Sequence, residues 1–234
     1  MIKTRIIPAL LAAAMTVPGA AFAAGAETHV ENISFSYEGP FGTYAKHQLQ
    51  RGFQIFHEVC SSCHGLQYLS FRDLGSETGP AFPIEQVKAI AALYEVADEE
   101  GESGDTRAAI ASDKFPANTD ADAPDLSLMA KARAGFHGPY GLGLSQLING
   151  MGGGEYIFSL LAGYHEEPEC AAEADMEGSY NVAFAAGGYP DSCKDEHGHH
   201  IVAGSWIAMP PPLTAVLPET VLLLRLTVPV LLKL

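Results

Sequence analysis

The sequence predicts a mainly α domain with long loop insertions, on three observations. Apolar side chains recur at helical spacing in several short stretches. Runs rich in Gly, Pro, Asp and Glu separate those stretches, and nowhere does a strand pattern alternate with a helical one.

The first residues, 1–23, read as a secretory signal and stand outside the fold. Lys3 and Arg5 form a charged start, Ile6 to Val17 an apolar core broken by Pro8, and Ala21-Phe22-Ala23 a small-x-small cleavage site. That core is about a dozen residues, short of the roughly 20 needed to cross a bilayer. Within the mature chain, Leu49, Phe53 and Phe56 predict an amphipathic helix over 42–59. Val87, Ile90, Ala91 and Tyr94 trace a second helix after Pro83, which can occupy its start. Asp125 is placed to cap a helix over 126–134, and 155–164 reads as a further short one. Gly141-Leu142-Gly143 and the run Gly150 to Gly154 follow no strand, so they read as turns and close backbone approaches and not as phosphate cradles.

Chemistry enters at Cys60-Ser61-Ser62-Cys63-His64, the attachment pattern of c-type haem. Each thiol can form a thioether to a haem vinyl group, and the adjacent imidazole can become the proximal iron ligand. A zinc site would need a second Cys-x-x-Cys pair, and the other two of the four cysteines do not make one. A thioredoxin-type pair would follow a strand, where this chain has a helical pattern. The motif therefore implies one-electron transfer. Export is consistent with it, because covalent haem attachment and disulfides both belong to the periplasm or an equivalent oxidising space. There, Cys170 and Cys193, with 22 residues of polar, Gly-rich chain between them, are expected to form a disulfide that pins an insertion.

The sixth iron ligand stays open on the residues alone. Met129, Met151, Met176 and Met209 compete with eight histidines: His29, His47, His57, His137, His165, His197, His199 and His200. Methionine opposite histidine would raise the reduction potential. Met209 is favoured by Pro210-Pro211-Pro212 behind it, a stiff extended run, whereas Met129 fits the core face of its helix. His197, His199 and His200 read as a solvated loop.

Charge narrows the partners. Removal of Lys3 and Arg5 with the signal takes the formal net charge from −15 to −17, which excludes nucleic acid. Glu95, Asp98, Glu99, Glu100, Glu102 and Asp105 form one acidic cluster. Asp113, Asp120, Asp122 and Asp125 form a second, and Glu166, Glu167, Glu169, Glu173, Asp175 and Glu177 a third. They read as solvated loops, or as a field that steers a basic partner.

Four blocks in order carry a resemblance. They are Phe53 through Cys60-Ser61-Ser62-Cys63-His64-Gly65-Leu66-Gln67-Tyr68, Ala123-Pro124-Asp125-Leu126 through Arg133-Ala134, Glu155-Tyr156-Ile157-Phe158 through Gly163-Tyr164, and Gly204-Ser205-Trp206-Ile207-Ala208-Met209-Pro210-Pro211-Pro212-Leu213. Together, over roughly residues 29–213, the chain resembles the cytochrome c1 family in its alphaproteobacterial form. The resemblance implies a class I cytochrome c-like haem domain over 24–213 with one covalently bound haem c. It also implies His64 as proximal ligand, Met209 as distal ligand, Arg133 as the partner of a haem propionate, and Cys170–Cys193 as the disulfide of the bacterial insertion. A six-coordinate iron leaves no open position for substrate, so no bond chemistry is expected at this haem. Enzyme activity would belong to the quinol:cytochrome c oxidoreductase, with cytochrome b and the Rieske iron-sulfur protein as partner subunits. The acidic loops would face a basic soluble cytochrome c, at the periplasmic face of the inner membrane. The alternative is a free periplasmic c-type cytochrome. Residues 214–234 do not resemble the family's closing helix and membrane anchor. Arg225, Pro229 and Lys233 interrupt their apolar run, and the expectation is an atypical tail without a competent anchor.

Overall fold

A computed structural model describes residues 28–98, 101, 103–119, 122–136 and 152–213. The signal at 1–23, Glu99, Glu100, Glu102, Asp120, His137, Gly141-Leu142-Gly143, Gly150, Met151 and the tail at 214–234 lie outside the described residues. Among the described residues are four helices, α1 (Lys46–Glu58), α2 (Ile84–Ala91), α3 (Met129–Ala132) and α4 (Gly153–Ala162). Two antiparallel hairpins accompany them: β1 (Glu95–Ala97) with β2 (Thr106–Ala108), and β3 (Ser179–Asn181) with β4 (Ser205–Ile207).

The expectation of a mainly α domain is corrected by this inventory. The described chain is a loop-rich frame of short helices and two small sheets. Strands of three residues are too short to show a period of two, so sequence pattern alone misses them. The helices fall close to their expected places. α1 buries Leu49, Gly52, Phe53 and Phe56 on one face, as the spacing requires. It begins at Lys46 because the preceding residues spend their amides on turns, Gly42 to the Gly39 carbonyl and Thr43 to the Ser36 carbonyl. α2 starts behind Pro83 and buries Val87 and Ala91.

Two readings need correction. Asp125 does not cap a helix: its carboxylate accepts the amides of Gln67 at 2.9 Å and Ser127 at 2.9 Å, tying the α3 approach to the segment after His64. Only Met129–Ala132 is then helical. At the other end, Gly153 and Gly154 are not turn residues but open α4. The expected close approach is there, since a Cβ on Gly153 would collide with the Ala130 carbonyl of α3. The adjacent Glu155 is 3% exposed, and its carboxylate accepts the amides of Phe136 at 2.8 Å and Ile33 at 3.4 Å.

Among the described residues, three hydrophobic clusters form the core. The first joins α1, α2, Leu66, Phe71, Leu74, Ala109 and Phe115, with the Phe71 and Phe115 rings 4.0 Å apart. The second packs Ile33 and Phe35 against Ala130, Ile157 and Phe158, with Met129 at its margin. The third holds Ala171, Tyr180, Cys193 and Trp206, with Met176 packed against it. A disulfide joins Cys170 to Cys193 with their Cα atoms 5.1 Å apart.

Candidate haem site

α1 delivers the haem motif. Its last turn would leave carbonyls unpaired, and the two residues between the cysteines fill that need. Ser61 Oγ donates to the His57 carbonyl at 2.7 Å and Ser62 Oγ to the Val59 carbonyl at 2.8 Å. The chain then tightens into a 3-10 turn, Cys60–Ser62, in which the His64 amide donates to the Cys60 carbonyl at 2.8 Å. Cys60, Cys63 and His64 thereby sit within one turn, with neither thiol in a disulfide. Burial, with the Cys63 thiol beside it, pushes the Cys60 thiol up to about 11.

His64 Nδ1 lies 2.7 Å from the Pro124 carbonyl. A carbonyl can only accept, so Nδ1 carries a proton, and of the two neutral tautomers the contact selects the one in which Nε2 is the lone pair. This is the tautomer an iron ligand needs, oriented by a backbone acceptor 60 residues away. Opposite, Asn118 Nδ2 donates to the Ser62 carbonyl at 3.0 Å and the Ser61 carbonyl at 3.4 Å. Gly65 packs so closely on this wall that a Cβ there would stand 2.8 Å from the Asn118 amide nitrogen and 3.0 Å from the Pro116 oxygen. Between the motif and residues 115–119 lies a cavity of about 240 Å³ that His64, Phe56 and Tyr94 also line. The wall is anchored behind by Asp113, whose carboxylate takes Arg107 at 2.6 Å and the Ile110 amide at 2.8 Å. The Arg107 guanidinium, with that amide, holds Asp113 below the usual carboxylate range.

The other expected site residues occupy different elements. Met209 is half-buried just beyond β4, and its carbonyl accepts the Tyr164 hydroxyl at 3.1 Å. Of the other methionines among the described residues, Met129 packs on the second cluster and Met176 on the third. His57 Nδ1 meets the Tyr94 hydroxyl at 2.7 Å, His47 meets Gln50, and the His200 ring stacks on Tyr189 at 3.6 Å. The amides of His197 and His199 both donate to Asp195. Arg133 is the residue after α3, exposed, with its guanidinium carbon 6.0 Å from the centre of the Tyr156 ring. Pro124, Asn118 and Tyr164 were not legible as site residues. Pro124 acts through a backbone oxygen, which leaves no mark in a sequence; Tyr164 closes one of the four resembling blocks, and that was its only signal.

The attachment turn fits a covalently held haem, with two thiols outside any disulfide and an imidazole whose Nδ1 is held by a backbone carbonyl, while Met209 follows β4 and is not among the residues that line the cavity. The Cytochrome C1 family model matches residues 35–219. The chain is 52% identical over 215 residues to cytochrome c1 of Cereibacter sphaeroides, covering 91% of this chain and 74% of that protein. It is 48% identical to cytochrome c1 of Rhodobacter capsulatus, covering 83% and 69%. It is also 33% identical to the mitochondrial cytochrome c1 haem protein of Saccharomyces cerevisiae, covering 68% and 49%. The chain belongs to the cytochrome c1 family, with a class I cytochrome c-like domain, one covalently attached haem c and the role of haem electron-transfer subunit of the bc1 complex.

Proposed function

We propose that Cys60 and Cys63 form the two thioethers, that His64 Nε2 and the Met209 sulfur are the axial ligands, and that Arg133 pairs with a haem propionate. The observation that carries this reading is the His64–Pro124 contact, because it fixes which ring nitrogen is free. The haem supplies a one-electron couple, and a methionine–histidine ligand pair places that couple high. The chain's own residues do the rest. The Ser61 and Ser62 hydroxyls and the Asn118 amide hold the attachment turn. The Pro124 carbonyl keeps the proton on Nδ1. Phe56, Leu66 and Phe115 contribute apolar surface to the lining of the cavity.

In this reading the signal at 1–23 exports the chain, and the domain works at the periplasmic face of the membrane beside cytochrome b and the Rieske protein. Among the described residues, no helix is long and apolar enough to cross a membrane. The electron enters from the Rieske protein and leaves to a basic soluble cytochrome c. Acidic side chains support that exit: Glu166, Glu167, Glu169, Glu173, Asp175 and Glu177 are all exposed, as are Glu95 and Asp105. Such a field raises encounter rates without strengthening the final complex much. The second-order rate of electron transfer to a basic cytochrome c should fall at least tenfold between about 0.01 M and 1 M salt, as the screening length shrinks from about 30 Å to about 3 Å. A rate indifferent to ionic strength would remove steering from the account.

A further inference from the structure

The segments on either side of β4, up to Met209, are pinned by tyrosine hydroxyls. Tyr189 donates to the Val202 carbonyl at 2.9 Å and accepts the Val202 amide at 3.1 Å. Tyr180 donates to the Ala203 carbonyl at 2.5 Å. Tyr164 donates to the Met209 carbonyl itself at 3.1 Å. The first two secure the approach to β4, and only the third touches the residue that carries the sulfur.

Tyr164 is well placed to act as a fixed point. It follows the last turn of α4, and its backbone forms a β-bridge with Asn181 of β3. Asn181 is fully buried and donates its side-chain amide to the Leu160 carbonyl of α4 at 2.7 Å. The same Asn181 pairs with Ser205 of β4 in the hairpin register. The α4 terminus, β3 and β4 are therefore one stitched unit, and Met209 leaves that unit as a loop. At its far end the loop is held where Leu213 packs on the second cluster, and at Met209 itself the Tyr164 hydroxyl holds the main chain.

We propose that Tyr164 is a positioning residue for the distal ligand: its hydroxyl fixes the Met209 backbone so that the thioether stays seated on the iron. This rests on the assignment of Met209 as distal ligand. Loss of the hydroxyl raises the fraction of time the thioether is unseated, and an external ligand reads that fraction directly, because its apparent affinity scales with the open population. Phenylalanine keeps the ring and its packing and removes only the donor.

The test uses the haem-loaded full chain in its assembled complex, with imidazole titrated against the ferric c-type haem. Tyr164→Phe should bind imidazole about five- to tenfold more tightly than the wild type, the shift expected from one net hydrogen bond. Tyr189→Phe, which loses a tyrosine contact on the approach to β4 but none to Met209, should bind as the wild type does. An unchanged Tyr164→Phe overturns the proposal, and so does an equal gain in both variants, which would mean general loosening of the hairpin. Met209→Leu sets the fully open limit. If the wild type already binds imidazole as tightly as Met209→Leu, the ligand assignment beneath the proposal fails, a result distinct from failure of Tyr164 alone.

Discussion

Met209→Leu is expected to lower the reduction potential of the haem by at least about 120 mV, two tenfold steps of a one-electron equilibrium at about 59 mV each. The thioether is a soft ligand that favours the reduced iron, and leucine keeps its volume while removing the sulfur. The same variant should admit carbon monoxide to the reduced haem without denaturation. Two controls follow from the packing. Met129 belongs to the cluster of Ile33, Phe35, Ile157 and Phe158, and Met176 to that of Tyr180 and Trp206, so leucine at either should leave the potential in place. If Met129→Leu or Met176→Leu collapses the potential and Met209→Leu does not, the distal assignment is wrong.

Gly65→Val carries the second large effect, through backbone rather than chemistry. Any side chain at Gly65 meets main-chain atoms of the opposing wall: the Asn118 nitrogen at 2.8 Å, the Pro116 oxygen at 3.0 Å and the Ala117 Cα at 3.1 Å. Main chain cannot turn aside as a flexible side chain can, so residues 116–118 must move outward. Asn118 would then lose its hold on the Ser61 and Ser62 carbonyls, and the cavity beside His64 would open. Overpacking of this kind costs about 1–3 kcal/mol. The expected outcome is a lower thermal midpoint together with a reduced yield of haem-loaded protein. A Gly65→Val protein that attaches haem fully and melts with the wild type would show that the wall is not held against the motif.

What the sequence disclosed and what it hid divide along a physical line. Features carried by side-chain type at short spacing were legible: the Cys60, Cys63 and His64 turn, and the buried face of α1 at Leu49, Phe53 and Phe56. The mature domain's thiol arithmetic left one pair over, and that pair is the Cys170–Cys193 bridge. Features carried by backbone groups far apart in the chain were hidden. The Pro124 carbonyl that orients His64 is 60 residues from it, and nothing in residue identity marks an acceptor of that kind. Asp125 illustrates the same gap: its position suggested a helix cap, but tertiary contact gave its carboxylate the Gln67 amide instead. Three-residue strands went unread for want of length, although β4 is what carries the chain to Met209. Met209 itself was one candidate among several until the block around it was matched as a whole.

Separation in a denaturing gel followed by haem staining tests whether haem is bonded to this polypeptide through Cys60 and Cys63. Denaturant breaks the axial contacts but leaves thioethers intact. Haem should migrate with the wild-type chain, Cys60→Ser or Cys63→Ser alone should leave a single thioether and a weaker stain, and the double variant should show none. Complete extraction of haem from the wild-type protein by acid acetone, leaving an unstained polypeptide, would contradict covalent attachment.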